Sequence, residues 1–312
     1  MQDITEGCWL VDLDYQSEPH LIACGVIETT VGLLLLDPGP TVALDTLRGK
    51  LATSGVRIKD VHGLLLTHIH LDHAGASGTL VAENPDVKVY VHEIGARHMI
   101  APARLLSSAR RLYGEMMDTL WGEFLPVPEE NVVRLRGGEA LEIGGRTLQV
   151  CYTPGHAVHH VSYFDETSGT AYVGDVAGMR VSGDAWVIPV APPPDISLEQ
   201  WRVSLDVVRL WQPERLFLTH FGVSDDVAWH LDTVARNLEV WAERVRESLL
   251  RTGDAVEHAA AFGNRALADI AAALPAEAVH PYRFFGRPEG SWYGIARYWN
   301  RKNAEKGTGG HR

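Results

Sequence analysis

Four apolar runs in this 312-residue chain each stop at side chains that metals bind. "VHGLLLTHIHLDHAG" runs into His68, His70, Asp72 and His73; "VCYTPGH" runs into His156, "AYVGD" into Asp175 and "LFLTH" into His220. Short β-branched or leucine-rich runs closed by Gly, Pro or charged turns read as buried strands. A lone histidine is ordinarily a hydrogen-bonded structural residue. Four such groups crowded at the mouth of one strand would strand polar side chains at the edge of a core, which is costly unless an ion satisfies them. The recurrence constrains the fold: strand ends from distant parts of the chain have to meet at one place.

The remaining pattern fits that requirement. "CWLVDLDY", "LIACGVIET" and "VGLLLLDPGP" read as strands, "TVALDTLRGKLATSG" as a helix with apolar steps at Val42, Leu44, Leu47 and Leu51, and "VKVYVHE" as another strand. Residues 95–124 are mostly helical and broken at Pro102, giving a helical insertion over 98–125. The stretch 132–175 is rich in hairpins with Gly-Gly and Ser-Gly turns, and "SLEQWRVSLDVVRLW" opens with a capping-box pattern, Ser197 with Gln200. Strands, helices, strands, helices in that order suggest an α/β protein with sheet packed on sheet and helices outside. From about Ser224 the texture becomes helical, with a stripe at Val227, Leu231, Val234, Leu238, Trp241 and Val245. Two units are therefore expected, a catalytic one over 1–222 and a helical extension over 223–312 whose tail, "AEKGTGGHR", is disordered.

Charge and composition narrow the partner. With 40 acidic against 28 basic residues the formal net charge is -12, which argues against nucleic acid and for a small-molecule substrate. No run approaches the roughly 18 apolar residues of a membrane span. The opening "MQDITEGCWLVDLDY" lacks the basic start and apolar block of a signal peptide, so no membrane contact and a cytoplasmic location are expected. Cys8, Cys24 and Cys151 are scattered without CxxC spacing and read as small core residues.

His68 and His70 alternate along an extended segment and can face one side, while Asp72 and His73 follow as the chain turns. Imidazole nitrogen and carboxylate oxygen suit Zn²⁺, and also Fe or Mn. On "HIHLDH", "TPGH", "VGD", "LTH" and the early "LLLLDPGP", the chain resembles the metallo-β-lactamase-fold hydrolase superfamily over roughly residues 5–222. The resemblance implies a four-layer αββα sandwich with a helical C-terminal extension and two divalent ions, zinc first, at one edge of the sheets. It implies that His68, His70 and His156 hold one ion, that Asp72, His73 and His220 hold the other, and that Asp175 bridges them. Even a single zinc lowers the pKa of bound water to about 7, so such a pair supplies a nucleophile for an ester, thioester, lactone or amide carbonyl at neutral pH. Asp175 and Asp72 are then the catalytic carboxylates, the first as bridge and the second, with a water, assisting the leaving group.

Departures from subfamily patterns narrow the resemblance. A bridging carboxylate sets the chain apart from true β-lactamases of this fold, and His70 stands where flavodiiron proteins carry glutamate. Quorum-quenching lactonases place a tyrosine three residues after the bridging aspartate, and here that residue is Gly178. Glyoxalase II enzymes share all seven ligands, although their basic glutathione-binding residues are not visible, and the chain is most similar to glyoxalase-II-like prokaryotic hydrolases. The expected activity is a dinuclear metallo-hydrolase. A mononuclear iron persulfide dioxygenase is the alternative, with a metal-dependent nuclease or phosphoesterase behind it.

Other side chains carry weaker expectations. Asp37 is expected to partner a ligand histidine, with capping of its turn as the other reading; His160 hydrogen-bonds beside the ligands and orients one, His159 lies in a pocket or loop, and His92 is structural; His98 and His230 carry no signal. Asp165 is expected to sit harmlessly in a hairpin turn. Tyr282, Phe284, Phe285, Trp292 and Tyr293 form the core of a helical cap, with a substrate wall as the competing reading. The apolar stripe and these rings exceed what one appendage needs, which suggests a homodimer.

Overall fold

The leucine run of residues 33–36 shows how the chain is layered. Leu34 and Leu36 face one apolar cluster and Leu35 faces another, and all three are buried. A strand alternates its side chains between two faces, so a continuous leucine run belongs in a strand covered on both sides. The next strand repeats the pattern: Leu65 points into the core between the sheets, while Val61, Leu64 and Leu66 face the helices.

The computed structural model describes residues 1–181 and 186–308. Its first sheet runs in the order β1 (Gln2–Thr5), β2 (Cys8–Asp12), β3 (Ala23–Thr29), β4 (Gly32–Leu36), β5 (Val61–Leu65), β6 (Lys88–His92), β7 (Val132–Leu135). Pairing is antiparallel from β1 to β4 and parallel from β4 to β7. The second sheet contains β8 (Ala140–Ile143), β9 (Arg146–Tyr152), β10 (Val161–Asp165), β11 (Thr170–Tyr172), β12 (Arg215–Leu218) and β13 (Gly222–Ser224), ordered β13-β12-β11-β10-β9-β8. Here only β11 and β12 run parallel. The carboxyl ends of β4, β5, β11 and β12 carry Asp37, His68, Asp175 and His220.

Helices flank both sheets, giving the expected αββα layering. They are α1 (Leu44–Thr53), α2 (Leu71–Ala74), α3 (Ser77–Glu83), α4 (Glu93–Ile100), α5 (Ala103–Tyr113), α6 (Met117–Trp121) and α7 (Leu198–Leu210). The C-terminal helices are α8 (Val227–Ser248), α9 (Ala255–Ala273), α10 (Ala276–Pro281) and α11 (Pro288–Thr308). The insertion breaks at Gly114, in the left-handed region at φ 55°, as well as at Pro102.

Several expectations need correction. The capping box at Ser197 does not form: its backbone N–H, which Gln200 would have to accept, donates to the Gly155 carbonyl at 3.0 Å. Asp254 makes the box instead, accepting from Val256 and Glu257 N–H at 2.8 and 2.9 Å, while Glu257 Oε2 accepts from the Asp254 N–H. Asp165 is buried and ion-paired at 3.0 Å with Arg146, so it is a core residue. Helix α11 runs to Thr308, into the stretch expected to be disordered, and residues 309–312 lie outside the described residues. The boundary placed after residue 222 falls within β13.

The α8 stripe is spent within the chain. Leu231, Val234, Leu238, Trp241 and Val245 are buried in one cluster with Val176 and Ala177 of the turn after β11, Ile188, and Trp201 of α7. The stripe's share of the apolar surface that suggested a homodimer is thereby covered, while Phe284 and Tyr293 stay exposed. Cys8 and Cys24 are buried, Cys151 is half-buried, and none is paired. Among the described residues, no helix is long and apolar enough to cross a membrane.

Candidate metal centre

Two groups of side chains converge where the strands end. His68, His70, His156 and Asp175 bring one ligand atom each to within 4.8 Å of one another, and Asp72, His73 and His220 do the same beside them. In the first group His68 Nε2 and His156 Nε2 stand 2.9 and 3.0 Å from His70 Nδ1, and Asp175 Oδ2 is 3.4 Å from His156 Nε2. In the second, Nε2 of His73 and of His220 are 3.2 Å apart, and Asp72 Oδ2 is 3.7 and 3.4 Å from them. Asp175 Oδ1 lies 3.3 Å from His73 Nε2 and 3.5 Å from His220 Nε2. One carboxylate thus turns an oxygen to each group, and all seven expected ligands come together.

Tautomers follow from what each ring leans on. His73 Nδ1 meets Asp37 Oδ2 at 2.8 Å, His156 Nδ1 meets the Val190 carbonyl at 2.7 Å, and His220 Nδ1 meets the Leu21 carbonyl at 2.7 Å. These oxygens can only accept, so the proton sits on Nδ1 and the Nε2 lone pair points inward. His68 Nδ1 is 3.0 Å from Thr67 Oγ1, which spends its own proton on Asp37 Oδ2 at 2.7 Å and so accepts from His68. Four lone pairs therefore face one another about a buried space. Asp175 Oδ1 is also buried without a hydrogen-bond partner among the described residues. Such a donor set fits a pair of divalent cations, which would satisfy every one of these atoms.

Electrostatics divides the two groups in the absence of metal. Burial, then neighbouring histidines, holds His68 well below the usual histidine value, and burial with His156 lowers His70 to about 3. Burial likewise lowers His156. At His73 burial acts the same way, but Asp175, Asp37 and Asp72 outweigh it and the ring is pushed well up; His220 rises through Asp175 and Asp72 against the same opposition. Despite burial, His73 and His220 bring Asp72 down to about 2 and Asp175 well below the carboxylate range.

The supporting shell explains why the sequence folds this way. Asp37, held at φ 47° just beyond β4, accepts from Thr67 N–H and Oγ1–H, from Thr219 Oγ1–H at 2.8 Å and from His73. Its expected partnership with a ligand histidine is present. The two threonines were not foreseen, although a signal existed: each immediately precedes the first ligand at its strand end, as "TH". Gly174 takes φ 47°, and a Cβ there would lie 2.6 Å from Thr67 Oγ1 and 2.8 Å from His160 Nε2. The short turn carrying Asp175 is clamped by Trp201 Nε1, which donates to the Val176 carbonyl at 2.6 Å, and by His230 Nε2, which donates to the Ala177 carbonyl at 2.8 Å. His230 lies on α8, and nothing in its own sequence neighbourhood marks it. Gly178 has φ 73°, and a Cβ would sit 2.4 Å from the Ile188 carbonyl, so the lactonase tyrosine has no room there.

His160 turns into the core, where Thr153 Oγ1 meets its Nδ1 at 2.9 Å. His92 accepts from Ile94 N–H and caps α4. The five C-terminal aromatics divide. The Phe285 ring is 4.9 Å from His220 and 5.5 Å from Tyr15, which stacks at 5.9 Å on Trp121, itself met edge-on by Tyr113 at 5.2 Å. Tyr282 is buried and donates to the Trp186 carbonyl, Trp292 donates to Ser248 within the helical layer, and Phe284 (41% exposed) stacks on His280. Tyr293 is exposed beside Trp292. Of the five, Phe285 lies against a candidate metal ligand, His220.

Comparison with known proteins agrees with this geometry. Residues 18–220 match the family model of the metallo-beta-lactamase superfamily. The chain is 30% identical over 133 residues to a metallo-beta-lactamase fold-containing protein of Sulfurisphaera tokodaii, covering 42% of this chain and 49% of that protein. It is 26% identical over 173 residues to a hydroxyacylglutathione hydrolase of a Synechococcus species, covering 55% of each. The chain thus spans about half the length of these curated relatives. In fold it is similar to the crystal structure of a metallo-beta-lactamase family protein from Thermus thermophilus, with a TM-score of 0.72 at 23% identity, covering 97% of this chain and 96% of that one.

Proposed function

Because the chain belongs to the metallo-beta-lactamase superfamily and brings two His/Asp clusters together at its strand ends, we propose that it is a dinuclear zinc hydrolase of small carbonyl esters, thioesters or lactones. The observation that carries the reading is Asp175, one carboxylate turning an oxygen to each cluster. Two divalent ions bound there supply Lewis acidity and a nucleophile from water near neutral pH. The protein's own part is positioning. Asp37, Val190 and Leu21 fix the ring orientations, and Asp72, the most exposed of the cluster's carboxylates, is placed to take up or return a proton at the mouth. Iron or manganese would be held by the same donors. The second cluster is as fully assembled as the first, which favours two ions over the single iron of a persulfide dioxygenase.

The test is metal quantification together with a hydrolysis screen of the loaded protein across lactones, thioesters, aryl esters, phosphoesters and a β-lactam. Two ions per chain and turnover of carbonyl substrates are expected. Asp175→Ala should lose an ion and more than about 100-fold in turnover. Oxygen consumption with a persulfide, or full activity and two tight ions in Asp175→Ala, would refute the assignment.

A further inference from the structure

His159 lies against the first cluster without belonging to it. Its ring stands edge-on to His70 at 5.8 Å between centroids and parallel to His68 at 6.2 Å, and it is only 7% exposed. Each of His68, His73, His156 and His220 anchors one nitrogen on a protein oxygen and His160 anchors one on Thr153, whereas His159 makes no hydrogen bond among the described residues. Its Nδ1 is sealed from solvent with no partner. A sealed nitrogen without a partner costs least as a bare lone pair, so the neutral ring carries its proton on Nε2, the nitrogen that is not sealed.

The surroundings hold the ring in place. Thr153 N–H donates to the His160 carbonyl at 3.0 Å, and Tyr152 Oη donates to the Val158 carbonyl at 2.9 Å, fixing the turn on both sides of His159. On α4, Gly95 leaves space: a Cβ there would lie 3.4 Å from the His159 Cβ and 2.8 Å from Ile69. A rigid, nearly buried donor with nothing to donate to, beside three converging imidazoles, is the arrangement that stabilises charge developing on a substrate.

We propose that His159 donates a hydrogen bond through Nε2 to the carbonyl oxygen of the ester, thioester or lactone bound at the His68–His70–His156 side of the centre. The assignment rests on the hydrolase reading above. When a water oxygen bonds to the carbonyl carbon, the π pair moves onto the carbonyl oxygen, and the Nε2–H meets the charge that appears there. As that pair returns, the bond to the leaving group breaks and the leaving group departs with the proton given up by the water. His159 neither gains nor loses a proton. It discriminates for substrates whose carbonyl oxygen is free to accept.

The experiment compares wild type, His159→Ala and His159→Gln as full-length, zinc-loaded protein. Metal content, Tm, kcat and KM are measured on a carbonyl substrate from the screen, together with calorimetric affinity for phenylboronic acid, whose tetrahedral adduct carries oxygen charge as the transition state does. His159→Ala should keep two ions and the wild-type Tm and lose about 100-fold in kcat with KM little changed, losing boronate affinity in parallel; the amide of His159→Gln should recover kcat to within about tenfold of wild type. A kcat/KM within about twofold of wild type in His159→Ala, or unchanged boronate affinity, overturns the proposal while leaving the hydrolase reading intact. If metal loss accounts for the defect in both variants, His159 is a structural residue and the proposal falls. A fully loaded wild type that hydrolyses no carbonyl substrate and binds no boronate would instead refute the hydrolase reading, and this proposal with it.

Discussion

The histidines of the two clusters differ in what a proton does to them, and this has a measurable consequence. His73 and His220 sit among carboxylates that push them up from the ordinary value of 6.5, whereas burial lowers His68, His70 and His156. A metal takes only the unprotonated ring, so protons compete for the second cluster from above pH 6.5 and for the first only below it. On dialysis from about pH 8 to about pH 6, one ion of two should leave first, and it should be the one held by Asp72, His73 and His220. Elemental analysis of the dialysed protein checks this. His220→Ala should begin with one ion and keep it over the same range, whereas equal loss from both sites would contradict the asymmetry. All seven candidate ligands were legible in the sequence because they follow the ends of apolar runs. His159 and His230 were not, since what marks them, an unmet nitrogen and a bond to the Ala177 carbonyl, exists only once distant segments meet.

At the level of elements, unbroken apolar runs placed β4 and β5 correctly because both faces of each are buried. Helix starts were less legible. Ser197 and Asp254 offer equivalent local patterns, and only the competing carbonyl of Gly155 decides that one forms a box and the other does not. The segment between α10 and α11 behaves similarly: its sequence shows a run of aromatics without saying which ring faces the metals. Phe285 leans on His220 and Tyr15, while Phe284 stacks at the surface and Trp292 is buried against His258. Phe285→Ala should therefore reorder the preference among acyl chains of different length with metal content unchanged. Phe284→Ala should leave that ranking as it is, and Trp292→Ala should cost about 3 kcal/mol of stability without reordering it. Kinetics on an acyl-length series with thermal melts of the three variants separates these outcomes. An unchanged ranking in Phe285→Ala would remove the ring from the substrate wall.

Taken whole, the molecule does not divide where its sequence changes texture. Helix α8 buries its stripe against Val176, Ala177 and Trp201, and its His230 holds the turn that carries Asp175, so the helical part completes the site as well as following it. A chain ended after Ser224 should expose that surface and lose ordered tertiary structure. Near-ultraviolet circular dichroism and size exclusion would show it, and a cooperative, zinc-binding fragment would prove the extension dispensable. The composition could not reveal this, because an apolar stripe looks the same whether its own chain or a second copy covers it. Asp37 shows the same dependence along the chain's time of synthesis. Its bond from Thr219 spans 182 residues, and His220, the next residue, is the last ligand to leave the ribosome. A nascent chain carries His68, His70, Asp72 and His73, with their partners Asp37 and Thr67, long before Asp175 and the rings of His156 and His220 can join them. Capture of two ions by all seven side chains would therefore be a late event, following the folding of the chain through to β12.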